Sequence, residues 1–134
     1  MLRIIIAVVL LAHGIGHVMG ILQVTRVATV NPAWQGDSWL LSSVLGTQLA
    51  QLVGVLLWGI ALVGFVVLAG VVMGWLPITW WAPQAIGSSL ASLAGLLLFP
   101  TAFPTFSTVG AAVVDAAVLG AVLWLNWTPS ELAA

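Results

Sequence analysis

The chain has 134 residues, of which 63% are hydrophobic and 4% charged, with a formal net charge of −1. A soluble domain carries about a quarter charged residues, so most of this chain is expected to lie in lipid. Arg3 and Arg26 are the only basic residues, which leaves nothing to neutralise phosphates and excludes nucleic acid as a partner. The absence of cysteine removes disulfides, thiolate nucleophiles and Cys-ligated zinc or iron–sulfur centres.

Lipid offers no hydrogen bonds to an exposed backbone, so long apolar runs cross it as helices. The predicted fold class is an all-α integral membrane protein, a single membrane domain over 1–134 built as an antiparallel four-helix transmembrane bundle with both termini on one side. The predicted spans are 3–23, 48–74, 80–99 and 105–125. They use nearly all the residues, with no room left for a soluble catalytic or DNA-binding domain.

The first span, LRIIIAVVLLAHGIGHVMGIL from Leu2 to Leu22, carries the strongest signal. From Ile4 to Leu22 its only ionisable side chains are His13 and His17, in a helix that covers roughly 30 Å of hydrocarbon. Arg3 before an apolar run resembles the start of a signal peptide. His13, Gly14, Gly16 and His17 stand where a small-residue cleavage site belongs, however, so the run is expected to remain as the first helix.

His13 and His17 are one turn apart and share a helix face, with Gly16 and Gly20 beside it as a small-xxx-small pair for close helix approach. Ionisable groups at bilayer depth mark ion paths or ligand sites by default. The pair is a candidate proton carrier or a ligand pair for a metal, haem or quinone. The competing reading is that neutral imidazoles hydrogen-bond across a helix interface and only fix the packing.

The connection over 25–47 contains Asn31-Pro32, Gly36-Asp37, Trp34 and Trp39, and is long for a structureless loop. Either Trp39 to Leu45 forms a short interfacial helix capped by Asp37 or Ser38, or the segment is a plain loop with tryptophans at headgroup depth. The second span follows, longer than the hydrocarbon needs, with Trp58 inside it. Leu76-Pro77 and Trp80-Trp81-Ala82-Pro83 turn the chain back, with Thr79 as the expected cap of the third span and Pro83 tolerated in its first turn. Ser88, Ser89 and Ser92 in that span read as packing residues bonded to their own helix backbone.

Pro100 and Pro104 bracket the last turn, and Asp115 falls in the middle of the fourth span. A carboxylate at that depth costs several kcal/mol unless protonated, paired or wet, with about 2.5–3.5 kcal/mol on insertion scales. His13 and Asp115 each lie about ten residues into helices of opposite direction at 1.5 Å per residue, so their depths match. The expected contact is Asp115 with His13 or His17, as a carboxylate orienting an imidazole or as hydrogen-bond glue.

His13, His17 and Asp115 are therefore the candidate catalytic residues, and His13 and His17 the candidate cofactor-binding residues. Together they would supply three ligands of an open metal site. The His-rich boxes of di-iron membrane enzymes are missing, though, and no metal site is assigned. Quinone and haem are the candidate cofactors. Two histidines one turn apart cannot take opposite faces of one haem, so a bis-His haem needs a second copy of the chain. Met19 and Met73 are axial partners only in principle. Arg3 on the terminal side slightly favours cytoplasmic termini.

The run LRIIIAVVLLAHGIGHVMG resembles the opening helix of the DoxX-like membrane proteins, small four-helix bacterial proteins. The matching positions are Arg3, Ala12, His13, Gly14, His17 and Gly20, with His17 standing where the family commonly has lysine. The resemblance implies a bacterial cytoplasmic membrane protein and a subunit of a respiratory or redox complex, with other membrane chains or further copies of itself as partners besides the bilayer. Two other readings stay open: a non-catalytic packing or assembly subunit, and a small proton-coupled transporter acting as an oligomer.

Overall fold

The computed structural model describes residues 1–133; Ala134, the last residue of the predicted domain, lies outside the described residues. The protein is all-α. Its elements are α1 (Leu2–Gly16), α2 (Val18–Val24), α3 (Leu41–Leu45), α4 (Thr47–Met73), α5 (Trp81–Leu98) and α6 (Thr105–Leu123), with 3-10 turns at Ile78–Trp80 and Pro129–Ala133.

Among the described residues, three stretches are long and apolar enough to cross a membrane: Leu2–Val24, formed by α1 and α2 together, Thr47–Met73 and Thr105–Leu123. The expectation of four such spans is met in part. Helix α5 has 18 residues but carries Gln84 and the three serines, and it does not join the apolar three.

Helix α4 is the central post. Its 27 residues extend about 40 Å, and α1 and α5 pack on it while α6 packs on α5. The contacts run in opposite senses along each pair. Gly14 and Gly20 of the first span meet Phe65 and Trp58, Gly64 and Gly95 pair with Ser88 and Trp58, and Ser92 meets Asp115 while Trp81 meets Trp127. Adjacent long helices are thus antiparallel. The layer does not close into a ring: α1 and α6 have no extensive packing between them.

Two apolar clusters fill the interior. One gathers Leu10, Phe65, Leu68, Val72, Trp81 and Val118; the other gathers Trp34, Trp58, Leu96, Phe99 and Phe103. Trp58 is fully buried, and space for its ring exists because Gly20, Gly54 and Gly95 surround it. A Cβ at Gly20 would stand 2.7 Å from the ring and one at Gly95 2.8 Å from it.

The glycine pair expected to approach a second helix is corrected by the structure. Gly16 faces open space, and Gly14 instead meets the backbone and Cβ of α4. The cause is a tightened turn. His17 ends α1, with its N–H bonded to the Gly14 carbonyl at 3.1 Å in the 3-10 manner, before α2 resumes. That change of phase carries Gly14 and Gly20 to the α4 side.

Helix α4 ends at Gly74, whose φ of 78° places it in the left-handed region. Trp75 N–H reaches the Gly70 carbonyl at 2.9 Å, closing a Schellman motif. Thr79 makes no capping bond to α5, which starts from the 3-10 turn after Pro77 instead.

The long connection is wired rather than loose. The Gln23 side chain accepts from the N–H groups of Val30 and Asn31 and donates to the Asn31 carbonyl. Ser38 Oγ donates to the Leu98 carbonyl and Trp39 Nε1 to the Leu97 carbonyl, both at 2.7 Å, satisfying orphan groups at the end of α5. The short helix is Leu41–Leu45, and Ser38 rather than Asp37 serves its start, accepting from Leu41 N–H at 3.2 Å.

Candidate functional site

The two ionisable positions singled out at matching depths come together. His13 Nε2 donates to Asp115 Oδ1 at 3.0 Å, and Ser92 Oγ donates to Asp115 Oδ2 at 2.5 Å. Asp115 is fully buried and the His13 side chain is 6% exposed. Each carboxylate oxygen thus holds one donor, from α1 on one side and α5 on the other. This is what a carboxyl group needs to be tolerated away from water.

Ser92 is the residue that sequence reasoning assigned to packing. Ser88 follows that expectation, bonding back to the Gln84 carbonyl at 2.5 Å. Ser89 departs from it, its Oγ buried without a partner, and Ser92 instead spends its proton on α6. Its signal in the sequence was its place near the middle of α5, level with Asp115 once α5 and α6 run antiparallel.

His17 is not part of the bonded set. It is 3% exposed, and its Nε2 is buried with no hydrogen-bond partner. The His13 and His17 rings meet edge-on with centroids 5.0 Å apart. Phe65 lies edge-on to His13 at 4.3 Å and nearly parallel to His17 at 6.5 Å, while Phe103 stands edge-on to His17 at 6.5 Å. The pair therefore sits at the junction of the two apolar clusters.

Both imidazoles line a cleft of about 530 Å³ between α1 and α6, walled by Val9, Gly16, Phe103, Phe106, Gly110 and Val114 among others. His13 enters it with Nε2 committed to Asp115, so Nδ1 is the nitrogen left for other chemistry. His17 contributes a nitrogen with no commitment at all. An unpaired buried polar atom costs about 1–3 kcal/mol, and the charges of Arg3 and Arg26 do not line this cleft.

What the arrangement can do follows from the donor set. Asp115, itself held by Ser92, fixes the His13 ring as a carboxylate fixes a ligand imidazole. His17 brings to the wall of the cleft an imidazole whose buried Nε2 is unpaired. No group of three or more His, Cys, Asp or Glu among the described residues is disposed to hold a metal ion. Both imidazoles approach the cleft from one helix, so they cannot take opposite faces of a haem there. Met19 is half-exposed and Met73 packs with the Phe65 cluster.

No family model matches this chain, and neither a curated protein nor a solved structure matches it significantly.

Proposed function

We propose that this protein is a small integral subunit of a respiratory or redox membrane complex, in which His13, His17 and Asp115 form a buried site for the head of a membrane-soluble quinone and for the protons it exchanges. One observation carries this reading: a histidine almost wholly buried, with an unpartnered ring nitrogen, lines a cleft beside a second histidine oriented by a carboxylate. Packing glue needs its polar atoms satisfied, and the Asp115–His13–Ser92 set already achieves that without His17. Quinone reduction moves protons as well as electrons, and an imidazole is the side chain whose charge changes near neutral pH.

In this reading α5 is the fourth span, sheltered by α4 and α6, and the whole is a four-helix transmembrane bundle with kinship to the DoxX-like proteins. The bacterial cytoplasmic membrane, with termini on the cytoplasmic side, is the corresponding location. Partners are other membrane subunits or further copies of the chain. Gentle isolation from native membranes, followed by organic extraction and mass spectrometry, tests the reading. It predicts stoichiometric quinone and co-isolated redox subunits; a preparation with neither contradicts it.

The assembly-subunit reading has one observation of its own: only Asp115 and Val118 of α6 are buried, which leaves an apolar helix face for another chain. A large apolar contact through α6 in the isolated complex, with no small molecule at His17, would favour it.

A further inference from the structure

The seam between α1 and α6 continues beyond the histidines. A second cleft of about 480 Å³ runs along the same two helices toward the termini, and it shares Val9 and Val114 with the first. From His17 to Ile5 the two clefts together follow about 18 Å of helix at 1.5 Å per residue.

The two halves differ in chemistry. The first is walled by the His13 ring and by the His17 ring, whose buried Nε2 has no partner. The second is lined by aliphatic side chains such as Ile5, Leu10, Val113 and Ala117, and ends at Trp81 and Trp127. Those two rings meet edge-on at 5.3 Å, and Trp81 Nε1 is already bonded to the Trp127 carbonyl at 2.9 Å, so the end offers no free donor from Trp81. Neither half includes a charged side chain.

The geometry points to a lateral berth for an uncharged, single-tailed lipid, with its polar head against His17 and its tail along the α1/α6 seam toward Trp81 and Trp127. This rests on the reading of the histidines as a ligand site and names the class of ligand. A phosphate or carboxylate head would need a cation, and none lines the seam. A tail already in hydrocarbon gains little from a new apolar wall, because lipid chains are as apolar as the side chains that replace them. Recognition therefore rests on the hydrogen bond at the head and on the shape of the groove. The open α1/α6 side lets such a molecule enter sideways from the bilayer, without passing through water.

The test uses the full chain in phosphatidylcholine nanodiscs and two photoreactive probes that share a prenyl tail ending in a diazirine. One has a benzoquinone head and the other a primary alcohol. Adduct sites are mapped by mass spectrometry, alongside binding of a tailless benzoquinone. The berth predicts quinone-probe adducts between Val113 and Leu125 and between Ile5 and Leu10, competed by unlabelled probe. Ala117→Trp fills the tail half from an exposed position and should cut these adducts at least about tenfold, the equivalent of 1.4 kcal/mol. His17→Leu should cut them similarly while the protein stays folded.

Scattered adducts on outward residues such as Leu52 and Leu97, unaffected by Ala117→Trp, overturn the berth. If tailless benzoquinone binding still needs His17, the redox reading survives that loss. Equal, His17-dependent labelling of the seam by both probes keeps the berth and overturns the quinone reading. A seam blocked by tightly held phospholipid, or cross-links from one copy to another through α6, also overturns the berth.

Discussion

Replacing Asp115 by leucine removes the acceptor of two donors at once. His13 Nε2–H and Ser92 O–H both end on its carboxylate, which is fully buried. Hydrogen bonds in membrane proteins average about 0.6 kcal/mol and reach about 1.7 kcal/mol by double-mutant cycles. Ser92 can recover part of its loss by bonding back to its own helix; the His13 donor has no such recourse. The expected cost of Asp115→Leu is thus roughly 1–2 kcal/mol. Replacing a whole buried polar network with apolar residues is often neutral, but removing one member strands the others, which fixes the sign. Asp115→Asn keeps an oxygen for His13 and an amide that Ser92 can accept from, so its cost should stay below about 0.6 kcal/mol, the average membrane bond. Reversible unfolding in mixed micelles, followed by far-UV circular dichroism, measures both. A leucine variant as stable as the wild type would refute the bonded network.

Ser92→Ala should cost about 0.6 kcal/mol, and its effect should nearly vanish in the Asp115→Leu background, a coupling read from the same unfolding cycle. Gly14→Ala and Gly20→Ala should destabilise by about 1–3 kcal/mol, because their Cβ atoms would stand 2.9 Å from Phe65 Cβ and 2.7 Å from Trp58; Gly16→Ala faces open space and should be neutral or better, by thermal denaturation. Cysteines at exposed Ala33 and Ser130 should be labelled from opposite sides of inverted and intact membranes, whereas labelling from one side would break the four-span topology.

The contact at the heart of the site was legible because depth is countable. His13 and Asp115 sit at similar distances from the ends of helices that run in opposite senses, so antiparallel packing brings them level. Their partner Ser92 was not legible, since a mid-helix serine satisfies itself by default and only the α5/α6 contact gives it a better acceptor. The choice of Gly14 over Gly16 was equally hidden. Spacing defines helix faces only while the turn is regular, and the tightened turn at His17 changes which glycine meets α4. The long connection carried its turn residues in plain view. Its role in holding the last α5 carbonyls through Ser38 and Trp39 depends on where α5 ends in space.

His17 is the position that separates a ligand site from a packing motif: its buried Nε2 lacks a partner, as do Trp58 Nε1 and Ser89 Oγ in the same core, but of these three residues His17 alone lines the α1/α6 cleft. Leucine there conserves most of the volume and removes the orphan, whose burial costs about 1–3 kcal/mol. The decisive measurement is therefore the pair of unfolding stability and quinone-dependent turnover for His17→Leu in the intact complex. A quinone site at His17 predicts stability equal to or above wild type together with loss of bound quinone and of turnover; a variant that keeps wild-type quinone content and turnover would contradict it.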